Sequence, residues 1–240
     1  MAVYDAVLDS KREIAAGTMA FHFSRPEGFA FKPGQAIDLI LPAGAGESGE
    51  EQRHTFSLVN APFQDELCVA TRMRDSEFKR RLGSLRQGAA VRVEGPFGSL
   101  LLHNNAARAA VFIAGGIGIT PFMSMLRHAV HAGLPHRLLL LYSNRRPEDA
   151  AFLDELSELA RQNQRFLLLA TMTQMDGSSQ PWTGTTGVID AALIKQAIDG
   201  LANPVAYLAG PPAMVQSLRD VVSEAGVDED DIRSEDFFGY

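Results

Sequence analysis

One stretch limits what this chain can fold into more than any other. From Ala109 to Leu126 run 18 consecutive residues without a charge, a length that would suit a membrane span. Gly115, Gly116, Gly118, Thr120 and Pro121 interrupt it in the middle, where a spanning helix needs continuity. The run instead reads as a buried strand, a glycine turn and a helix that opens with Thr120 and Pro121. The pattern continues downstream. RLLLLYS, RFLLLATM and PVAYLA are unbroken apolar runs of the kind found in parallel strands covered on both faces, with helical stretches over 149–162 and 212–224 between them. A five-stranded parallel sheet with helices on both faces is expected over 104–240.

The first hundred residues have a different rhythm. Short β-type runs at 6–13, 18–24, 36–41, 55–59, 67–71 and 91–94 are separated by turn residues, and their spacing suits a small six-stranded antiparallel barrel over 1–103. One helix interrupts them, starting after Asp75 and Ser76 and running through Phe78 and Leu82. The change of pattern near HNNAARA (103–109) marks the expected domain boundary. Two segments, 42–52 and 174–187, read as long surface loops.

Composition removes several function classes. Acidic residues outnumber basic ones, 29 to 22, for a net charge of -7, which disfavours nucleic acid and anionic membranes as partners. The single cysteine, Cys68, excludes an intramolecular disulfide, a four-thiolate zinc site and a cysteine-ligated iron-sulfur cluster, and reads as a small buried hydrophobe. His128, His131 and His136 lack accompanying carboxylates or thiols, so packing or surface roles are favoured and no metal site is expected. MAVYDAVLDSKRE carries Asp5 and Asp9 and no apolar core, which does not read as a secretory signal. A cytoplasmic location is the default expectation.

Two glycine-rich segments carry possible chemistry. In AVFIAGGIGITPF, Gly115, Gly116 and Gly118 remove Cβ atoms where an anionic group could approach backbone, and the helix opening at Thr120 offers N–H donors and a positive dipole end. The pattern is GxGxxP, which departs from the dinucleotide fingerprint at its third glycine. The alternative is a turn that only packs helix on strand. A second strand end, YLAGPPAMV, places Ala209, Gly210 and Pro211 before another helix, and in an open parallel sheet both ends face one crevice.

A third segment, RHTFSLVNAP (53–62), joins with EGPFG (94–98), GGIGITP (115–121), YSNR (142–145), AGPP (209–212) and an aromatic C-terminus. In this order and over essentially the whole chain, these motifs resemble the ferredoxin-NADP reductase superfamily, in its two-domain core without an iron-sulfur domain. The resemblance implies a barrel that holds FAD and an α/β domain that holds NADPH or NADH, with hydride passing to the flavin and single electrons then passing to a separate carrier. That carrier would be ferredoxin, flavodoxin or an oxygenase component. An oxygenase reductase component and a flavin or ferric reductase are the neighbouring alternatives. A non-catalytic nucleotide-binding module is the alternative of another class, since fold does not establish function.

By the same resemblance, Phe56 takes the place of the aromatic residue that packs on the isoalloxazine, Ser57 that of the hydroxyl beside flavin N5, and Thr55 lies between this pair and the phosphate contact. The family's phosphate-binding arginine falls at His54. Adjacent strand residues face opposite sides, so Arg53 and His54 cannot both reach one phosphate without a bulge; His54 is favoured by position and Arg53 stays a candidate. The helix start at Ser76, Glu77 and Phe78 matches the second diphosphate contact, with Arg72 just before it. Asn144, Arg145 and Arg146 fall where an adenosine ribose would lie, and the arginines tilt the choice toward NADPH. Ala209 replaces a cysteine near the nicotinamide. Phe237 and Tyr240 are candidates to cover the flavin face that nicotinamide must reach. Seven basic residues between Arg72 and Arg92 form either a solvated helix face or a docking face for an acidic carrier.

Overall fold

The computed structural model describes residues 1–42 and 51–238. Most of the expected 42–52 loop, and Tyr240, lie outside the described residues. Strands β1 (Val3–Ala15), β2 (Thr18–Ser24), β3 (Ala36–Leu41), β4 (Gln52–Ser57), β5 (Glu66–Arg72) and β6 (Ala90–Phe97) form the first sheet, with helix α1 (Glu77–Ser84) between β5 and β6. The second sheet contains β7 (Ala110–Gly115), β8 (Leu138–Asn144), β9 (Phe166–Met172), β10 (Thr185–Thr186), β11 (Val205–Gly210) and β12 (Ile232–Asp236). Helices α2 (Thr120–His131), α3 (Leu153–Gln162), α4 (Ala191–Ala197) and α5 (Pro212–Glu224) pack around it.

The first sheet is antiparallel, in the order β4-β3-β6-β1-β2-β5. Its corner is β1, whose Val3–Val7 half pairs with β6 while the later half pairs with β2, across a register shift between Leu8 and Ser10. A bulge of this kind bends a strand and lets it serve two directions. The expected barrel is therefore barrel-like but not closed. Among the described residues no ladder joins β4 to β5, and the chain leaving β4 reaches β5 through the Val59 N–H donating to the Cys68 carbonyl at 2.8 Å.

The second sheet is parallel, in the order β10-β9-β8-β7-β11-β12. It has six strands where five were expected. The four apolar runs are β7, β8, β9 and β11; the polar β12 and the two-residue β10, formed inside the 174–187 segment read as a loop, gave no apolar run to detect. The helix expected from residue 149 begins only at Leu153. Pro147–Asp149 form a 3-10 turn and Phe152 adopts a left-handed backbone, φ 61°, which breaks helical continuity.

Strand alternation divides the side chains of β2 and β5 between two cores. Phe21, Phe23, Leu67 and Val69 point into the first sheet's interior with Phe29, Ile37, Leu39 and Leu58. The small residues Ala20, Cys68 and Ala70 point outward and form one cluster with Phe122, Met123, Met125 and Leu126 of α2. Small residues on that face let a helix approach closely, so the two sheets share a continuous core. Cys68 is buried there, as read from its run.

Residues 98–109 link the sheets, and their polar groups are tied down. The His103 N–H donates to the Tyr207 hydroxyl at 2.9 Å, His103 Nδ1 accepts from that hydroxyl at 2.8 Å, and Nε2 donates to the Arg108 carbonyl at 3.2 Å. These bonds need neutral imidazole. Burial, helped by His136, Arg233 and Arg108, holds His103 below its ordinary value of 6.5. As pH falls below that value the unfolded chain takes up a proton that the folded chain resists, so stability is lost on acidification. Thermal melts from about pH 7 to about pH 5 should show a steeper fall for the native chain than for His103→Asn. Equal slopes would contradict this role.

Candidate active site

The candidate site is a cleft of about 490 Å³ lined by residues from both halves of the chain. From the first come Asp38, Arg53, His54, Thr55, Phe56, Ser57, Thr71, Arg72 and Lys79; from the second come Ile117, Thr120, Glu235, Asp236, Phe237 and Phe238. Most of the first group follows from the alternation of β4. His54 and Phe56 share one face, their rings stacked 4.7 Å apart, with Phe78 of α1 at 5.3 Å and 5.9 Å from the two. Arg53 and Thr55 share the other. Opposite them across the ladder stand Asp38 of β3 and Glu94 of β6, and Arg53 pairs with Glu94 at 2.6 Å and with Asp38 at 3.4 Å while Thr55 donates to Asp38.

The two β4 candidates for a phosphate contact are therefore held differently. Arg53 is engaged by two carboxylates. His54 Nδ1 bonds to the Thr55 carbonyl at 2.9 Å, and because a carbonyl can only accept, Nδ1 carries the proton. In the neutral ring Nε2 is then an acceptor. Ser57 is buried, and its Oγ has no hydrogen-bond partner among the described residues. A buried hydroxyl that lines a cleft unsatisfied is suited to a polar ligand atom.

At α1, Ser76 is the N-cap and its Oγ accepts from the Lys79 N–H at 3.3 Å. The Ser76 N–H donates to the Arg74 carbonyl at 2.9 Å, which leaves the Glu77 and Phe78 end of the turn as the part of the expected diphosphate contact not spent in this way. Arg72 lines the cleft and pairs with Asp149 at 3.3 Å, joining the two sheets. The other members of the basic run have individual environments. Arg80 pairs with Asp75, Arg92 with Glu51, Arg81 donates to the Pro42 carbonyl, and Lys79 is buried in the cleft, while Arg74 and Arg86 are exposed.

The glycines do close-packing work. A Cβ on Gly118 would stand 2.3 Å from the Ala209 carbonyl oxygen, and one on Gly210 would stand 3.3 Å from the Gly115 backbone nitrogen. The two strand ends thus abut, as the shared-crevice reading requires, and it is Ile117 and Thr120 from the first of them that reach the cleft. Gly116 has φ 52° and opens the 3-10 turn that leads into α2. Pro211 directly precedes α5 as its N-cap.

The C-terminal segment is an edge strand and not a loose tail. β12 pairs with β11 as far as Asp236, and the Phe237 N–H donates to the Gly210 carbonyl at 2.9 Å. Phe237 and Phe238 are carried into the cleft by that pairing. So is Glu235, whose carboxyl burial pushes above the usual range. Sequence reasoning missed Glu235, Asp38 and the burial of Lys79; only the alternation of β12 with its apolar neighbour β11 could have signalled the first.

Asn144, Arg145 and Arg146 end β8. Asn144 is buried with no partner for its amide atoms among the described residues. Arg145 is exposed, and Arg146 reaches the Gly177 carbonyl at 3.4 Å. Glu148 accepts from the Ser179 N–H and the Ser178 hydroxyl, both at 2.9 Å. Those bonds, the Ser179 N–H foremost, hold its carboxyl down to about 2.

Comparison with known proteins agrees with this architecture. Residues 112–220 match the family model of the oxidoreductase NAD-binding domain. Ferredoxin-NADP reductase B of Sorangium cellulosum is 29% identical over 235 residues, which are 93% of each chain. The reductase component of propane 2-monooxygenase from Rhodococcus jostii is 28% identical over 86% of this chain, which spans 55% of that longer protein. Among solved structures, a ferredoxin NADP+ reductase from Neisseria gonorrhoeae with bound FAD and NADP superposes with a TM-score of 0.83 at 22% identity, covering 98% and 99% of the two chains. Over nearly its whole length the chain is similar to a ferredoxin-NADP reductase, and its fold is that of the solved reductase. Among the described residues, no helix of this reductase-like chain is long and apolar enough to cross a membrane.

The contact at Gly118 packs the turn after β7 directly against the backbone at the end of β11. Gly118→Ala should destabilise the chain by about 1–3 kcal/mol through overpacking against backbone, read as a lower denaturant midpoint. An unchanged midpoint would show that the 2.3 Å approach is not a constraint.

Proposed function

We propose that this chain is an NAD(P)H-dependent flavoprotein reductase that passes electrons to a separate protein. The observation that carries the reading is the convergence, in one cleft, of a buried unpartnered Ser57 hydroxyl and the Phe56 ring from the first sheet with Thr120, Glu235 and Phe237 from the second. The first set fits an isoalloxazine and its polar edge; the second lies where a nicotinamide would enter. FAD, once bound, supplies the conversion of a hydride into single electrons. The chain supplies position. Ser57 would hold a hydroxyl at the ring edge, Glu235 keeps a carboxyl whose proton affinity is raised by burial, and Phe237 would cover the ring face that the nicotinamide must reach.

The adenosine end favours NADPH. A free carboxylate at this position would hold a 2'-hydroxyl and repel a 2'-phosphate, but Glu148 is spent on Ser178 and Ser179 and Asp149 on Arg72. Arg145 stays exposed beside them. With relatives that are a ferredoxin-NADP reductase and a monooxygenase reductase component, a ferredoxin, a flavodoxin or an oxygenase component is the acceptor class.

An anaerobic titration tests this. The FAD-loaded protein should bleach with NADPH at lower concentration than with NADH, and added ferredoxin or flavodoxin should restore the colour. Arg145→Glu should cost about tenfold or more in NADPH affinity, from loss of one charge-assisted contact, and leave NADH little changed. Protein that takes up no FAD, or FAD that neither nucleotide bleaches, would overturn the proposal in favour of a non-catalytic nucleotide-binding module.

A further inference from the structure

We propose that FAD binding to this chain takes up a proton at His54 Nε2, so that cofactor affinity falls as pH rises. The proposal rests on reading the cleft as the FAD site, which the buried, unpartnered Ser57 hydroxyl lining it supports. A diphosphate offers only acceptor oxygens, so a side chain that meets it must donate. On β4 two side chains are placed to do so. Arg53 is held by Glu94 and Asp38 on the face it shares with Thr55. His54, on the other face, also lines the cleft, and its ring lies 5.3 Å from that of Phe78 in the first turn of α1. Unpaired N–H groups and the positive dipole end make such a turn favourable for an anion.

The two ring nitrogens of His54 are not equivalent. Nδ1 donates to the Thr55 carbonyl at 2.9 Å, and Nε2 has no hydrogen-bond partner among the described residues. In the neutral ring Nε2 carries a lone pair, which repels a phosphate oxygen. A proton taken from solvent turns the same atom into a charged donor and leaves the Thr55 bond intact, and a bond from imidazolium to phosphate is charge-assisted. Presenting Nδ1 to the ligand instead would cost the Thr55 bond. The charged groups around the ring are Asp38 of β3 and Glu94 of β6 with their partner Arg53, Arg72 of β5, Glu77 and Lys79 of α1, and Glu235 and Asp236 of β12. Burial raises the proton affinity of Glu235 and lowers that of Lys79, so these two must be separated from His54 by the test.

Fluorescence titration of the apoprotein with FAD and with riboflavin from about pH 6 to about pH 8.5, with calorimetry in two buffers of different ionisation enthalpy to count protons, makes the test. Native protein should take up a proton with FAD and lose affinity by up to about tenfold per pH unit. Riboflavin, which has no phosphate, should show no such slope. His54→Arg keeps its charge throughout, so it should bind FAD without a slope and more tightly than the native chain at the alkaline end. His54→Asn should bind FAD weakly and also without a slope. FAD affinity independent of pH with no proton uptake, or an equal slope for riboflavin, would overturn the proposal. A slope that persists in His54→Arg would belong to Lys79 or Glu235 and would overturn it too. The proton count on the native chain decides the matter if a variant fails to fold. Native protein that binds no FAD at any pH would instead remove the underlying reading of the cleft, and the proposal with it.

Discussion

The structure depends on how α2 is held between the two sheets. Ser124 donates to the Asn60 carbonyl at 2.7 Å, and Arg127 donates to the Val59 carbonyl at 3.0 Å while gripping Glu155 of α3 with two bonds at 2.6 and 2.8 Å. Asn60 in turn accepts from the Cys68 N–H at 2.8 Å. These groups are buried or half-buried, where an unmade hydrogen bond costs more than a made one contributes. The turn that follows Ser57 is thereby locked to the helix that begins at Thr120. Hydrophobic contact between Ala20, Cys68 and Ala70 and the apolar face of α2 would hold the units together, but only the polar bonds set their register.

From that register the cleft follows. β4 brings Phe56 and Ser57 to one side, and the start of α2 brings Thr120 to the other. The β11–β12 pairing closes the third side with Glu235 and Phe237. The charges are used as ties: Arg72 and Asp149 join the sheets at the cleft wall, and Glu148 anchors Ser178 and Ser179 close to the end of β8. Residues that look like ligands by type are in several places occupied as struts. Function is then left to groups that the packing does not consume.

This explains which parts were legible in the sequence. The glycine turn, the long apolar strands and the Ser76 cap are local signals, and each appears where the sequence places it. Phe56, Ser57 and Phe237 were found by resemblance, and all three line the cleft. The choice between Arg53 and His54 could be posed from strand alternation but not resolved, because it depends on Asp38 and Glu94, which arrive from other strands. Within the basic run of 72–92, Lys79 is buried and Arg72, Arg80 and Arg92 are paired with carboxylates, which the sequence did not signal. β10 was missed because two threonines carry no period, and the late start of α3 because nothing in AAF announces a left-handed Phe152.

In the proposed reading, α2 sets the geometry across which a nicotinamide would reduce the flavin. The most direct measurement is the anaerobic rate of flavin bleaching by NADPH in the native chain and in Arg127→Met, with FAD occupancy checked in each. The native chain should bleach, and the variant should retain FAD but bleach more slowly by roughly tenfold to a hundredfold, as expected when reacting groups are displaced by about an ångström. A variant that holds FAD and bleaches at the native rate would contradict the claim.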